Sequence, residues 1–412
     1  LIRTDFLKYL EVAQSQGDKI VRLNPLPFLS MYLVNDLNLA NDICGPLANH
    51  FHKSKQTHSM VGKFLGKGLV LSEDEIHRHD RKLIAKLFAK YFSEGHIREI
   101  CQGRLKRRIT VQSKLNVELF FTELSFDIIV TLMFGNSETT ELKNLSEALR
   151  VFADAISERF QSVPLPSWVP TKRNRQEKVA IANVSLALRN AFINCEPGSF
   201  AGELKFLLES ENSSRAFVRW SEHIKTLLFA GHETVAKLMS WCVVHLVQNP
   251  DTFTEIRNEL LDGSDRRLEA FLNEVLRYRA PVWLFDRTPV KNLQVGGFEL
   301  QNGVQIYISP YLFHRDARYF SDPHLFCPDR FKSSPTNSAF VPFGMGVRSC
   351  IGKQMAVLEA KCILSDIIQQ HDITIDLAHM SKLKPKPGAT LGFSMPVEMQ
   401  LEPQRVGQKK HA

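Results

Sequence analysis

At 412 residues, 44% of them apolar, the chain is long enough to bury a large core, and no Ser/Gly linker, repeat or low-complexity run divides it, so one domain over 1–412 is expected. Its net charge of +8 and pI near 9.0 are spread along the chain without a nucleic-acid recognition motif, which argues against nucleic acid and for an acidic protein partner. Seven scattered cysteines with no C-x-x-C pair argue against a disulfide framework or zinc knuckle and fit a reducing cytoplasm.

The most apolar window, 227–247, is interrupted by His232, Glu233 and Lys237, so no membrane span is expected. The sequence starts at Leu1 rather than methionine, which leaves a preceding anchor or signal open.

In chain order, Asp5–Leu10 opens a short amphipathic helix that should stop at Gly17, and 19–23 and 30–34 read as the strands of a hairpin. Ala40–Leu47 reads as a short helix, and 53–68, with Gly62, Gly66 and Gly68, as a loop. Ser72–Glu75 places acidic residues in the first turn of a helix that runs through Phe88, with Ile76, Leu83, Ile84, Leu87 and Phe88 as its apolar face. On this helix His77 and Arg81 share a face four residues apart. Arg78, Lys82, Lys86 and Lys90 recur along it as a basic stripe.

Residues 115–160 carry helical periodicity, with a C-cap signal at Gly135. Pro164–Asn174 is a proline-rich connector between two helices. Ser221–Gln248 is the long central helix and contains Ala230-Gly231-His232-Glu233-Thr234. A mid-helix glycine costs about 1 kcal/mol relative to alanine, and a threonine hydroxyl can bond back to the preceding turn, so a local distortion is expected. His232-Glu233 could begin a zinc-protease motif, but Ala236 stands where the second histidine belongs.

Leu268–Tyr278 is a helix with Glu274 and Arg277 at i, i+3, by default a weak surface pair. Leu293–Ile308 reads as two short strands joined through Asn302-Gly303, and Leu383–Val397 as turn-rich. Phe340–Gly352 is a loop with three glycines that carries Cys350 and hands over to a helical pattern from Lys353. A helix N-terminus lowers a thiol pKa and favours the thiolate, which is what an axial ligand of haem iron requires.

The spacing of Phe343, Gly344, Gly346, Arg348, Cys350 and Gly352 resembles the haem-binding signature of the cytochrome P-450 superfamily at every position. The resemblance runs from about Asp5 to the C-terminus and suggests a soluble, bacterial-type member. It implies a mainly α fold with a small β-rich region (19–35, 293–308 and 383–400), haem b held by Cys350, and a monomer in the cytoplasm. His77, Arg81, Arg287 and Arg348 would contact the haem propionates. Residues 53–68 would cap the substrate pocket.

By the same resemblance, Ala230, Gly231, Glu233 and Thr234 form the groove where O2 binds, Thr234 donating a hydrogen bond there and Glu233 relaying protons. Glu274 and Arg277 would join Arg330 in a buried structural network behind the cysteine loop. Leu227, Val282, Trp283, Leu284, Phe285 and Phe393 would line an apolar substrate pocket. The expected activity is reductive O2 activation and oxygen insertion into an apolar small molecule. The chain ends soon after Cys350, so electrons from NAD(P)H are expected through separate proteins, an acidic ferredoxin or flavodoxin with its reductase, docking on Arg78, Lys82, Lys86 and Lys90. The rivals are an H2O2-using haem-thiolate peroxygenase, which needs no threonine-acid relay, and a haem-binding sensor or carrier, which needs no oxygen groove.

Overall fold

The computed structural model describes residues 5–23, 31–109, 114–135, 151, 169, 171–212, 214–333, 337–376 and 380–404. Its helices are α1 (Phe6–Gln14), α2 (Leu37–Cys44), α3 (Lys55–Leu65), α4 (Asp74–Tyr91), α5 (Glu94–Arg108), α6 (Val117–Phe134), α7 (Lys172–Asn194), α8 (Phe200–Asn212), α9 (Ala216–Gln248), α10 (Pro250–Leu261), α11 (Arg266–Tyr278), α12 (Pro310–Phe313) and α13 (Lys353–Gln370). The strands are short: β1 (Ile20–Leu23), β2 (Met31–Val34), β3 (Phe51–His52), β4 (Leu115–Asn116), β5 (Phe285–Pro289), β6 (Leu293–Val295), β7 (Phe298–Leu300), β8 (Gln305–Ile308), β9 (His371–Ile375), β10 (Pro385–Pro387), β11 (Leu391–Phe393) and β12 (Glu398–Pro403). The expected mainly α class with a small β part is what forms.

The largest sheet has the order β1-β2-β8-β5-β3. β1 and β2 pair antiparallel as the expected hairpin, while β2 runs parallel to β8 in the register Met31↔Gln305. A parallel pair needs a crossover, and here most of the chain lies between the two strands.

Helix α9 is the axis of the core. It buries residues around its whole circumference, among them Trp220, Ile224, Leu228, Met239 and Trp241, which is the pattern of a helix enclosed by others. It starts at Ala216, upstream of the expected Ser221, because Ala216 and Trp220 are already buried and the Trp220 indole donates to the Ala201 carbonyl at 2.8 Å.

Several local expectations are corrected. Residues 55–65 are a helix, capped by the Ser54 hydroxyl accepting from the Thr57 amide at 3.1 Å; Gly62 sits inside it and only Gly66 ends it. The 293–308 region holds three strands: β6 and β7 join through Gly296-Gly297, both at positive φ as a two-residue hairpin turn requires, and Asn302-Gly303 leads instead to β8. On α4 the buried positions are His77, Asp80, Ile84 and Leu87, whereas Ile76 is exposed. The buried face of α4 thus begins with two polar residues, of which Asp80 accepts from Arg219 Nη2 at 2.9 Å. Within 115–160, α6 ends at Phe134 before Gly135 as expected; 136–150 and 152–160 lie outside the described residues, as does most of the 164–170 connector.

Candidate active site

The cysteine loop is shaped by hydrogen bonds of its own. The Cys350 amide donates to the Phe343 carbonyl at 2.8 Å, a 3-10 turn spans Gly346–Arg348, and Gly352 is the N-cap of α13. Gly346 has φ +65 and lies so close to α2 that a Cβ would collide with the Cys44 carbonyl. Only glycine fits there. Cys350 is accessible although protein surrounds it, so it lines a recess rather than an outer surface. The expectation of a lowered thiol pKa is reversed in balance: burial pushes the thiol up and outweighs the opposing pull of the Gly352 N–H and the Arg81 charge.

Behind the loop, the Glu274–Arg277 pair is fully buried, with Arg277 Nε and Nη2 donating to the Glu274 carboxylate at 2.7 Å each. Arg330 Nε approaches the same carboxylate at 3.2 Å, and the Cys327 amide donates to it at 2.6 Å. The expected three-residue network is therefore assembled. Its link to the loop is His314, which the sequence reading did not single out for this role. The Val341 amide donates to His314 Nε2 at 2.9 Å, and Nδ1 lies 3.1 Å from the Arg277 carbonyl, which fixes the neutral tautomer with the proton on Nδ1. Burial and the Arg315 and Arg277 charges push this imidazole down to about 3.

A group of basic residues gathers on the other side. His77 and Arg81 from α4, Arg287 from β5 and Arg348 from the loop lie near one another: Arg348 and Arg81 act on the His77 imidazole, and Arg287 and Arg81 act on Arg348. Arg348 donates to the Ser72 carbonyl at 2.7 Å and pairs with Glu73. Lys53, which carried no signal in the sequence, joins them; burial, then Arg287, pushes its amine down to about 7. Asp286, the nearest acid to Arg287 in sequence, is held by Ser54, Thr57 at 2.9 Å and Gln305 at 2.9 Å. Among the described residues, Lys53, Arg81 and Arg287 make no salt bridge. His77 is pushed down to about 4 by burial, then by Arg348, Arg81 and Lys53. A cleft of about 480 Å³ opens beside this group, lined by Phe51, Glu73, His77, Arg81, Val347 and Arg348.

In α9, Thr234 Oγ1 donates back to the Ala230 carbonyl at 2.8 Å, as expected. The helix nevertheless runs unbroken from Ala216 to Gln248, so the expected distortion does not interrupt it. At Gly231 the helix passes close to α6, and a Cβ there would lie in ordinary contact with Ile129 Cγ1 at 3.4 Å. Ala230 is exposed and Thr234 half-buried in a helix whose surroundings are core, so this turn borders an internal space. Glu233 is buried; Oε1 accepts from the Thr390 hydroxyl at 2.8 Å and Oε2 has no partner. Thr390 carried no signal of its own in the sequence, where it lies in the turn-rich stretch 383–397 three residues before Phe393.

The proposed pocket residues divide. Leu227 and Phe393 belong to the main core around α9, and Phe393 packs edge-on to Trp241 at 4.7 Å. Trp283 is committed elsewhere: it sits in the α1 cluster against Phe6 and donates to the Gly388 carbonyl at 3.1 Å. Leu284 borders that cluster, Phe285 packs on the sheet core, and Val282 is on the surface. Of the basic stripe, Arg78 binds Glu75 and Asn49, and Lys90 pairs with Glu203 at 3.1 Å. Lys82 and Lys86 are exposed.

These residues fit a haem group. Cys350 offers an accessible sulfur, and Lys53, Arg81 and Arg287 are cations without carboxylate partners, suited to two propionates. No helix among the described residues is long and apolar enough to cross a membrane.

The family model described as Cytochrome P450 matches residues 3–399. The chain is 27% identical over 402 residues to the human protein named Cytochrome P450 4V2, covering 84% of this chain and 75% of that protein. It is also 27% identical over 352 residues to the Arabidopsis thaliana protein named Cytokinin hydroxylase, covering 76% of this chain and 68% of that one. The cysteine loop, the buried network behind it and a match over nearly the whole length lead to one conclusion: this chain belongs to the cytochrome P450 family, and is a haem-dependent monooxygenase of the oxidoreductase class.

Proposed function

We propose that this chain inserts one oxygen atom from O2 into a C–H or C=C bond of a largely apolar small molecule, with Cys350 as the residue whose sulfur would bind the iron of haem b. The observation that carries the reading is the accessible Cys350 sulfur in a recess, with the Gly352 N–H directed to it and Arg81 nearby. Bound haem iron supplies the reductive splitting of O2. The remaining roles fall to the chain.

Burial raises the Cys350 thiol, and the Gly352 N–H and Arg81 are the groups that oppose it and bias Cys350 toward the thiolate. Lys53, His77, Arg81, Arg287 and Arg348 are the residues that would hold the propionates of a bound haem. Thr234 presents a hydroxyl to the internal space beside Ala230. Glu233, one oxygen held by Thr390 and the other without a partner among the described residues, would relay protons to it. Leu227 and Phe393 supply apolar wall. Electrons come from NAD(P)H through an acidic ferredoxin or flavodoxin and its reductase.

The test is spectral and then kinetic. The ferrous–CO complex of the wild type should absorb at the red-shifted thiolate position and that of Cys350→His at the imidazole position; a thiolate band in the variant would name another cysteine. Thr234→Ala should keep haem and substrate binding while diverting reducing equivalents to H2O2. Unchanged coupling of NAD(P)H to product would remove Thr234 from the proton route, and turnover with H2O2 but never with a reductase system would make the protein a peroxygenase.

A further inference from the structure

Helix α9 grips the β10–β11 hairpin with side chains spaced one turn apart. Glu233, Lys237 and Trp241 recur every four residues and so share a face. Glu233 Oε1 accepts from the Thr390 hydroxyl at 2.8 Å, and the Trp241 indole donates to the Leu391 carbonyl at 2.9 Å. Between them Lys237 Nζ donates to Glu118 Oε1 of α6 at 2.8 Å, and the same oxygen accepts from the Phe393 amide at 3.1 Å. One carboxylate oxygen thus joins α6, α9 and β11. Gly392 lets the strand come this near, since a Cβ there would lie 2.9 Å from Glu118 Oε1 and 3.3 Å from Lys237 Nζ.

The hairpin needs such support. β10 pairs with β11 in the register Pro385↔Phe393 and Pro387↔Leu391, and neither proline has an amide hydrogen to give to the pairing. Two strands alone are marginal in water, so the position of β11 is set by what it rests on. That support is the Pro281 carbonyl, which accepts from the Leu391 amide at 2.9 Å, together with Trp241 and the Glu118–Lys237 pair. Thr390 stands directly before β11, and both it and Glu233 are buried. Its hydroxyl occupies one Glu233 oxygen and leaves Oε2 without a partner among the described residues.

We propose that Glu118 and Lys237 are positioning residues for proton delivery. Their ion pair holds β11 by the Phe393 amide, which keeps the Thr390 hydroxyl on Glu233 Oε1 and leaves Oε2 free to carry a proton. This positioning role rests on the reading of Glu233 as the proton relay.

Hydrogen exchange on the haem-loaded protein reads the strand without turnover. Lys237→Met should speed exchange of the Phe393 amide several-fold. Gly392→Ala, which forces the pair aside, should do the same and carries the test should Lys237→Met lose its haem. Lys237→Arg and Thr390→Val should stay near wild type. A Phe393 amide that exchanges at the wild-type rate in Lys237→Met and Gly392→Ala overturns the proposal. The second measurement is the yield of H2O2 per NADPH with a plant-type ferredoxin, its reductase and laurate as the probe. The yield should rise several-fold in Lys237→Met and Thr390→Val and stay near the wild-type value in the conservative variants Lys237→Arg and Thr390→Ser. If Glu233→Gln raises the yield and Lys237→Met does not, the positioning role fails and the relay stands. If Glu233→Gln leaves the yield unchanged, the relay fails and the positioning role falls with it.

Discussion

Arg277 and His314 hold each other by a reciprocal pair of hydrogen bonds: Arg277 Nη1 donates to the His314 carbonyl at 2.7 Å, and His314 Nδ1 donates to the Arg277 carbonyl at 3.1 Å. The same imidazole accepts from the Val341 amide, so the buried charge pair on α11 and the loop that carries Cys350 share one rigid side chain. His314→Ala removes both ring contacts and leaves the Val341 N–H without its acceptor. The expected cost is about 2–4 kcal/mol of stability, with weaker haem retention, read by denaturant unfolding and by the haem-to-protein ratio. The pH dependence has a definite sign. The folded pKa of about 3 lies below the ordinary 6.5, so the neutral ring stabilises the fold above about pH 6.5 and that contribution falls away toward pH 3. His314→Gln should flatten this part of the acid-unfolding profile.

Glu359 gives the opposite sign. It is fully buried on α13, neither carboxyl oxygen has a hydrogen-bond partner of good geometry, and burial pushes it up to about 8 from 4.5. The folded protein keeps a proton that the unfolded chain releases above about pH 4.5, so this residue lowers stability as pH rises from there to about 8. Glu359→Gln keeps the shape without the ionisable proton. Thermal unfolding should show the variant more stable than wild type at pH 8, by an amount on the order of a few kcal/mol, with the gap closing toward pH 4.5. A gap of equal size at both pH values would mean that Glu359 does not titrate in this range.

Lys53 should matter for holding haem although no motif marks it. An amine pushed down to about 7, among Arg287, Arg348 and His77, is in surplus positive charge until an anion arrives. Lys53→Met should relieve that repulsion in the haem-free protein, so its thermal midpoint rises or stays level, while haem is lost several-fold faster to a competing haem acceptor. Haem loss at the wild-type rate would remove Lys53 from the propionate group.

The legible part of this protein is the part written as fixed spacing. Cys350 and its glycines, Glu274 with Arg277, and His77 with Arg81 each lie within a short stretch of chain, where geometry follows from helix period or turn requirements. Gly346 illustrates why: its positive φ is demanded locally by the loop, whereas its approach to Cys44 of α2 comes from tertiary packing. What escaped were partners brought together by tertiary packing. Lys53 meets Arg287 because β3 and β5 are paired, and Thr390 meets Glu233 because the β10–β11 turn folds onto α9. Trp283 packs in the α1 cluster through the same kind of tertiary contact. The thiol pKa of Cys350 was misjudged because a helix N-terminus is readable from sequence and burial is not.

The basic stripe on α4 separates into two kinds of residue, which makes its proposed docking role testable within one helix. Arg78 is engaged by Glu75 and Asn49, and Lys90 by Glu203 and the Tyr91 ring at 5.1 Å, so both charges are already partly neutralised. Lys82 and Lys86 are exposed, and Lys82 lines the same cleft as Arg81 and Arg348, next to the exposed Val347 of the cysteine loop. An acidic electron donor approaching this face would sense the free charges most. Such steering acts on the encounter rate more than on final affinity. Reversing Lys82 and Lys86 to glutamate should therefore slow reduction by a protein donor several-fold at low ionic strength, whereas reversing Lys90 should have a smaller effect. The difference should shrink near 0.15 M salt, where screening limits exposed charges to about 8 Å. Peroxide-driven turnover, which needs no donor, should stay the same in both variants. Stopped-flow reduction at several ionic strengths measures this, and equal rates for wild type and the double variant at every salt concentration would leave the stripe as solvated surface.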